Sequence, residues 1–171
     1  AVRAYWNEGG EGILGLHLEG PWINPIKRGA HVESLIHSPT VKEVSDLLEY
    51  GRDVIKMITL APEVCSKEAI ALIQSHNIII SAGHSNATYK EAMQAFGNGI
   101  KTVTHLYNAM SALQHREPGL VGASHLPWSR PFAAPLYDAL GLRASREQSE
   151  GQVRGHSIAP VRRITCFLAA A

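Results

Sequence analysis

The sequence has little cysteine, almost no net charge and no long apolar run. Its 171 residues include two cysteines, Cys65 and Cys166, which are too few for a disulfide framework and favour a reducing compartment. Sixteen basic and 15 acidic side chains leave a net charge of +1, which gives no indication of nucleic-acid binding. No run approaches the roughly 18 apolar residues that cross a bilayer, and residues 1–20 lack a signal-peptide pattern. We therefore predict a cytoplasmic protein without nucleic-acid or membrane partners.

The type of charge changes along the chain after Ala123. Residues 1–123 carry 6 Lys, 4 Arg and 12 acidic residues, whereas residues 124–171 carry 6 Arg, no Lys and 3 acidic residues. The apolar residues of the second stretch follow no clear period. These features predict one domain over residues 1–123 and a divergent, poorly ordered stretch over residues 124–171. A basic tail that binds nucleic acid is the alternative, but its arginines are scattered rather than clustered.

Short apolar runs alternate with amphipathic segments throughout residues 1–123. The runs are rich in β-branched residues and predict buried strands at 12–18, 54–60, 78–82 and 100–106. The segments between them begin with helix-capping residues, since Thr40 and Thr88 each precede a glutamate by three positions and Ser66 precedes a third apolar pattern. Strands and helices that alternate at this spacing predict an α/β protein with parallel strands.

Two α/β architectures are compatible with this pattern, an open doubly wound sheet and a (β/α)₈ barrel. No Gly-x-Gly-x-x-Gly follows the first predicted strand, so the dinucleotide fingerprint of the open sheet is missing. A complete barrel needs about 250 residues. We therefore predict a partial (β/α)₈ TIM barrel with about four βα units.

Side chains that bind metals stand at the carboxyl ends of three predicted strands. Glu19 ends the first strand, His84 follows the third, and His105 ends the fourth. Parallel strands bring these ends to one rim, where α/β proteins build their active sites. One carboxylate and two imidazoles are typical of a catalytic site for Zn²⁺, Fe²⁺, Co²⁺ or Mn²⁺. Each residue alone also fits a turn or a hydrogen-bonded structural histidine, but their common position favours the metal.

Two further segments near this rim are candidates for binding a substrate. The loop over residues 20–39 has no predicted secondary structure, and loops of this length are usually functional or disordered. After the fourth strand, Asn108 and Ala109 are in a position to present backbone N–H groups to an anion. Arg116 suits a phosphate because its guanidinium binds two oxygens at once. A surface ion pair between Arg116 and Glu117 is the structural alternative.

Six short segments follow one another along the first 123 residues. They are GLHLEGP (15–21), KRGAH (27–31), TLAPE (59–63), AGHSNAT (82–88), THLYNAM (104–110) and REPGLVGA (116–123). In this order they resemble the N-acetylglucosamine-6-phosphate deacetylase family of the metal-dependent amidohydrolase superfamily. The resemblance implies a hydrolase of linear amides that uses a divalent metal to release acetate from N-acetylglucosamine 6-phosphate and leaves glucosamine 6-phosphate. It also implies a homodimer for the complete protein.

The resemblance assigns roles to individual residues. For the metal it implies Glu19, His84 and His105, and for the substrate His31, Asn108, Ala109 and Arg116. The family's general acid/base Asp has no counterpart after Ala123, so no catalytic residue is assigned and we expect an incomplete, inactive portion of the enzyme. Another metal-dependent amidohydrolase, such as a dihydroorotase, is one alternative, and a non-catalytic fragment that binds a sugar phosphate or a metal is another.

Overall fold

A computed structural model describes residues 1–125, which form a parallel sheet flanked by helices. The elements in chain order are α1 (Val2–Asn7), β1 (Leu16–Glu19), α2 (Val41–Tyr50), β2 (Ile55–Leu60), α3 (Lys67–Ser75), β3 (Ile79–Ala82), α4 (Tyr89–Gly97), β4 (Thr102–Val103) and α5 (Gly119–Ser124). From residue 126 onward, the stretch predicted to be poorly ordered lies outside the described residues. Among residues 1–125, no helix has the length and hydrophobicity needed to span a membrane.

The strands pair in the order in which they occur along the chain. The sheet order is β1-β2-β3-β4, and every neighbouring pair is parallel. A doubly wound sheet reverses its strand order at a switch point, whereas a barrel adds each strand on the same side of the last. The α/β prediction is therefore confirmed, and the strand order is consistent with four consecutive units of a barrel.

One face of the sheet is lined with polar side chains. The register places Glu19 beside Thr59, Thr59 beside Ser81, and Ser81 beside Thr102. Because side chains alternate between the two faces of a strand, residues at one level share a face. Thr59 and Ser81 are fully buried there, and both hydroxyls hydrogen-bond to that of Thr104, at 2.7 and 2.6 Å respectively. The face that carries Glu19 is therefore held by hydroxyl hydrogen bonds.

The opposite face of the sheet supplies the hydrophobic core. Its strand residues alternate with the polar ones and pack with the inward faces of α2, α3 and α4. The buried cluster includes Ile58, Leu60, Ile80, Ala82, Val44, Leu48, Ala69, Ile73, Ala92 and Phe96. Burial of a Leu or Ile side chain stabilises the fold by about 1.5–3 kcal/mol, so this helix-covered face provides most of the stability of the described residues.

The helices begin at the capping residues that the sequence indicates. Thr40 and Thr88 each form a complete capping box with the glutamate three positions later. Ser66 accepts a hydrogen bond from the backbone N–H of Ala69 at the start of α3. These caps satisfy N–H groups that have no partner inside the helix. The three predicted helix starts are confirmed.

Two strands are shorter than predicted because the backbone cannot remain extended. The first was expected from residue 12 but begins at Leu16, after Gly15 with a φ of 149°. A Cβ on Gly15 would lie 2.4 Å from the carbonyl oxygen of Val54. The fourth was expected over 100–106 but comprises only Thr102–Val103. There the chain turns into the left-handed region at His105, with a φ of 59°.

The long loop after β1 is anchored rather than free. Trp22 and Ile23 are almost completely buried, and short 3₁₀ turns form at Pro25–Lys27 and Glu33–Leu35. The side chain of Glu43 on α2 accepts hydrogen bonds from the Trp22 indole (3.2 Å) and from the His37 imidazole (2.5 Å). These contacts hold the loop over the carboxyl ends of the strands.

The capping box of α4 predicts a pH-dependent contribution to stability. Hydrogen bonds from the backbone N–H and then the hydroxyl of Thr88 lower the pKa of Glu91. A lowered folded-state pKa stabilises the protein above the unfolded carboxyl value of about 4.3, and this contribution disappears as the pH falls through the folded value. We expect Glu91→Gln to lower the free energy of unfolding at pH 7 but to have much less effect at pH 3, as measured by urea denaturation.

The matched control for Glu91 is Glu49→Gln at an exposed position on α2. The Glu49 side chain makes no hydrogen bond within residues 1–125, so we expect its substitution to have a small effect at both pH values. An effect of Glu91→Gln that is the same at pH 7 and pH 3 would contradict the capping interpretation.

Candidate metal centre

The three residues predicted as metal ligands lie together at the carboxyl-end rim. Glu19 is the last residue of β1, and His84 and His105 lie two residues beyond β3 and β4. Both histidines have left-handed φ values, 47° and 59°. This conformation is unfavourable for a residue with a side chain, by about 1–2 kcal/mol, and is concentrated at functional sites. The loops that follow β3 and β4 therefore hold these two imidazoles in place against a backbone cost.

A single carboxylate oxygen joins the three side chains. Oε1 of Glu19 lies 2.5 Å from Nε2 of His84 and 2.8 Å from Nε2 of His105. The His84 ring packs edge-on against that of His105, with 5.3 Å between centroids. His84 is almost completely buried, whereas His105 is exposed. The geometric expectation that Glu19, His84 and His105 converge is met.

His31 from the long loop also joins this group. Its Nε2 lies 3.9 Å from Oε1 of Glu19, and its ring packs edge-on against His84 with 4.9 Å between centroids. One ligand atom each from Glu19, His31 and His84 lie within 4.8 Å of one another, which is close enough to hold one metal ion. His105 contacts Glu19 from outside this mutually close set. The sequence did not predict that His31 lies as close to Glu19 as a ligand would.

The hydrogen bonding of His84 determines which ring nitrogen is available. Its Nδ1 lies 2.8 Å from the carbonyl oxygen of Lys27. A carbonyl only accepts, so Nδ1 carries the proton and donates it to this oxygen. In the neutral ring Nε2 then has a lone pair, and that lone pair faces the Glu19 carboxylate. Two facing electron pairs require a proton or a cation between them, and a protein hydrogen bond to the second nitrogen is typical of metal-binding histidines. The donor set therefore fits a divalent metal.

The site also lowers two pKa values. Burial raises the pKa of Glu19, but hydrogen bonds from His105 and His84, together with their charge, outweigh burial and bring the pKa below its ordinary value. Glu19 is therefore an anion at neutral pH. Burial lowers the pKa of His17 despite the nearby Glu19 carboxylate, which favours the neutral form of this one imidazole.

His17 is a member of the rim that the ligand prediction did not include. It lies two positions before Glu19 on β1 and therefore shares its face of the sheet. Its Nε2 hydrogen-bonds with the hydroxyl of Thr59 at 2.6 Å, and that hydroxyl contacts Thr104. Because side chains alternate along a strand, the spacing of two residues already indicated that His17 and Glu19 lie on the same face of the sheet.

The predicted phosphate-binding residues occupy the loops after β4. Two of their backbone N–H groups are engaged within the loop, since Asn108 donates to the carbonyl of His105 (2.6 Å) and Ala109 donates to the Asn108 side chain (3.0 Å). Arg116 is exposed and forms no ion pair with Glu117 within residues 1–125. Glu117 instead accepts from the backbone N–H groups of Tyr89 (2.5 Å) and Gly119 (3.1 Å). The ion pair between Arg116 and Glu117, which was the structural alternative, is therefore not formed.

Comparison with known proteins finds relatives that are deacetylases of two amino-sugar 6-phosphates. The chain is 46% identical over 116 residues to the N-acetylglucosamine-6-phosphate deacetylases of Danio rerio and Homo sapiens. It is 44% identical over 114 residues to an N-acetylgalactosamine-6-phosphate deacetylase of Shewanella sp. (strain ANA-3). These matches cover 66% of this chain and 28–29% of each relative. No family model matches the chain.

Solved structures of the same enzymes share the fold. An N-acetylglucosamine-6-phosphate deacetylase from Pasteurella multocida matches with a TM-score of 0.63 at 41% identity, covering 71% of this chain and 32% of that one. The enzyme from Thermotoga maritima matches with a TM-score of 0.65 at 34% identity, covering 81% and 40%. The chain spans less than a third of the length of the curated relatives it matches. Over about two thirds of its own length the chain is therefore a partial match to N-acetylglucosamine-6-phosphate deacetylases.

Proposed function

We propose that this chain supplies the metal-binding rim of a deacetylase that hydrolyses the N-acetyl group of an amino-sugar 6-phosphate, releasing acetate. The observation that carries the proposal is that the ring nitrogens of His84 and His105 both contact one carboxylate oxygen of Glu19. The substrate favoured by the relatives' names is N-acetylglucosamine 6-phosphate, with glucosamine 6-phosphate as the second product. A reducing cytoplasmic location suits the free Cys65 thiol, and the homodimer of the complete protein stays a prediction from the resemblance.

Within this proposal Glu19, His84 and His105 hold a divalent cation, namely Zn²⁺, Fe²⁺, Co²⁺ or Mn²⁺. Such a cation would supply Lewis-acid polarisation of the amide carbonyl and would make a water molecule more acidic. The chain's own contribution is to keep Glu19 ionised and to keep Nδ1 of His84 protonated against Lys27. As a result, the Glu19 carboxylate and Nε2 of His84 both direct lone pairs toward the proposed cation position.

His31 is positioned to contact the reacting amide. It is half-buried beside Glu19, and its carbonyl oxygen accepts a hydrogen bond from the Arg28 guanidinium at 3.2 Å. That bond holds the end of the KRGAH segment next to His84. We assign His31 to the sugar or its acetamide group, because its ring nitrogen lies farther from Glu19 than those of the other two histidines.

Arg116 and the side chain of Asn108 are assigned to the sugar phosphate, whereas the backbone N–H groups of Asn108 and Ala109, expected to face an anion, are engaged within the loop. Arg116 is exposed and is not paired with Glu117, so its guanidinium remains available for two phosphate oxygens. The Asn108 side chain already accepts from the N–H of Ala109 and retains its amide donors for an anion. A dihydroorotase-like amidohydrolase has no use for this arrangement, which favours the phosphate-specific deacetylase.

A second candidate function is binding of metal and sugar phosphate without turnover. Within residues 1–125 the group of potential metal ligands contains one carboxylate, Glu19, and the imidazoles of His84 and His105 already hydrogen-bond to it. This group therefore holds no second carboxylate that could act as a general acid or base. Loss of a positioned general acid or base typically lowers a rate by about 10²–10⁴. This observation favours a chain that binds its ligands but reacts slowly.

The metal centre is tested by metal content. We expect the chain to bind about one equivalent of Zn²⁺ or Co²⁺ and the Glu19→Gln, His84→Asn double variant to bind none, because two ligands are lost. Metal is measured by elemental analysis after dialysis. The control is Glu49→Gln, His115→Asn, which changes the same residue types at exposed positions and retains the metal. Equal metal content in all three proteins would reject the site.

Acetate release tests the deacetylase itself. We expect the metal-loaded chain to release acetate from N-acetylglucosamine 6-phosphate at least about 10²-fold more slowly than the human relative assayed in parallel. The residual rate disappears in Glu19→Gln. Substrate binding without any acetate release that depends on Glu19 would favour the second candidate, and absence of both binding and release would contradict both.

The role of Arg116 is tested by comparing phosphorylated and unphosphorylated ligands. We expect Arg116→Met to weaken binding of N-acetylglucosamine 6-phosphate about 10-fold or more, because two charge-assisted hydrogen bonds are lost. Binding of N-acetylglucosamine remains unchanged, as measured by isothermal titration calorimetry. Arg52→Met, at an exposed position after α2, serves as the control. An equal loss for both ligands would show that Arg116 does not contact the phosphate.

A further inference from the structure

Glu63, in the TLAPE segment, joins three loops at the rim. It lies in the 3₁₀ turn Pro62–Val64 that follows β2. Its Oε1 accepts from the side-chain amide of Asn24 (3.0 Å) and from the backbone N–H of Asn86 (2.6 Å), and its Oε2 accepts from the hydroxyl of Ser85 (2.7 Å). Asn24 belongs to the loop after β1, and Ser85 and Asn86 belong to the loop after β3.

Hydrogen bonds, and no ion pair, hold the Glu63 side chain. Within the described residues no lysine, arginine or histidine forms an ion pair with it. A carboxylate that accepts three hydrogen bonds is held in one geometry, because its donors approach from two different loops. Glu63 therefore fixes the positions of the loops rather than neutralising a cation.

The residues that Glu63 holds are those that fix His84. The backbone N–H of Asn24 donates to the carbonyl of His84 at 2.8 Å. Ser85 follows His84 directly and is completely buried. Its N–H donates to the carbonyl of Ala109 (3.1 Å), and its carbonyl accepts from the N–H of Ser111 (2.9 Å). The backbone on the carboxyl side of the left-handed His84 is thus held by residues that also contact Glu63.

We infer that Glu63 is a positioning residue, which orients His84 toward Glu19 by bonding to Asn24, Ser85 and Asn86. The part of this inference that concerns the metal rests on the proposed function, whereas the part that concerns the orientation of His84 does not. No oxygen of Glu63 hydrogen-bonds to the imidazoles of Glu19's partners His84 and His105, so its effect passes through the carbonyl of His84 and the backbone that follows it.

The three donors around position 63 match a carboxylate, which accepts at both oxygens. The Ser85 hydroxyl already accepts from the N–H of Ala87 at 3.1 Å and gives its own proton to Glu63. Asn24 and Asn86 supply only N–H groups to the other oxygen. A glutamine that keeps its oxygen toward Asn24 and Asn86 turns its NH₂ toward the Ser85 hydroxyl, so the hydrogen bond with Ser85 reverses its direction and all three hydrogen bonds lose the charge that strengthens them.

The test compares Glu63→Gln and Ser85→Ala with the control Glu49→Gln in the full chain. The first readout is the NMR signal of the His84 Nδ1 proton in the metal-free protein, where it is bonded to Lys27. We expect this proton to exchange with water at least 10-fold faster in Glu63→Gln and to show a smaller effect of the same direction in Ser85→Ala. The ring signals of His76, which caps α3 at the opposite rim, stay unchanged.

The second readout is Co²⁺ binding, followed by the visible absorption of the bound ion. We expect Glu63→Gln to weaken Co²⁺ binding about 10- to 100-fold, as is typical when a group that orients a ligand is removed. The absorption spectrum of the remaining complex changes as well, because a misdirected His84 alters the ligand field. A residue that only stabilises the fold would lower the melting temperature and leave this spectrum and the His84 proton unchanged.

The outcomes separate this inference from the proposed function. Unchanged His84 signals in both Glu63→Gln and Ser85→Ala would overturn the positioning role, whatever happens to the melting temperature. Absence of Co²⁺ binding in the unmodified chain would overturn the metal proposal, and the His84 exchange rates would still decide the role of Glu63. If Glu63→Gln does not fold, Ser85→Ala, which removes one donor, decides it.

Discussion

The contact between Glu19 and His105 imposes a shape on the whole structure. Glu19 lies on β1 and His105 follows β4, which are the two outer strands of the described sheet. With neighbouring strands about 4.8 Å apart, a flat sheet would separate these two strands by roughly 14 Å. The side chains nevertheless meet at 2.8 Å. The sheet therefore curves toward the face that carries Glu19, and the same curvature brings His84 to that point.

The parts of this arrangement that depend on local sequence were predictable. The capping boxes at Thr40 and Thr88 depend on residues three positions apart, and they fix where α2 and α4 begin. The strand ends at Glu19 and before His84 follow from short apolar runs bounded by polar residues. Since parallel strands share one rim, the meeting of Glu19, His84 and His105 also followed from the sequence.

The parts that depend on distant loops were not predictable in the same way. Glu63 meets Asn24 and Ser85 only because three loops fold over one rim, and no periodicity in the sequence indicates that meeting. His31 approaches Glu19 because Trp22 is buried and Glu43 binds its indole, so the loop is drawn inward. The shortening of β4 depends on the left-handed turn at His105, which propensity does not favour in a non-glycine residue.

The two faces of the sheet differ in what they require from the surrounding protein. The aliphatic residues on the helix-covered face are buried by other residues of the described chain. On the face that carries Glu19, the hydroxyl groups of Thr59 and Ser81 hydrogen-bond to that of Thr104. Within residues 1–125 no buried side-chain nitrogen or oxygen lacks a hydrogen-bond partner. Further strands that completed a barrel would therefore pack against a face lined with hydroxyl groups rather than with aliphatic side chains. Such an assembly would be joined by backbone hydrogen bonds along the two outer strands, β1 and β4, and its interior would be filled by side chains that can pair with these hydroxyl groups.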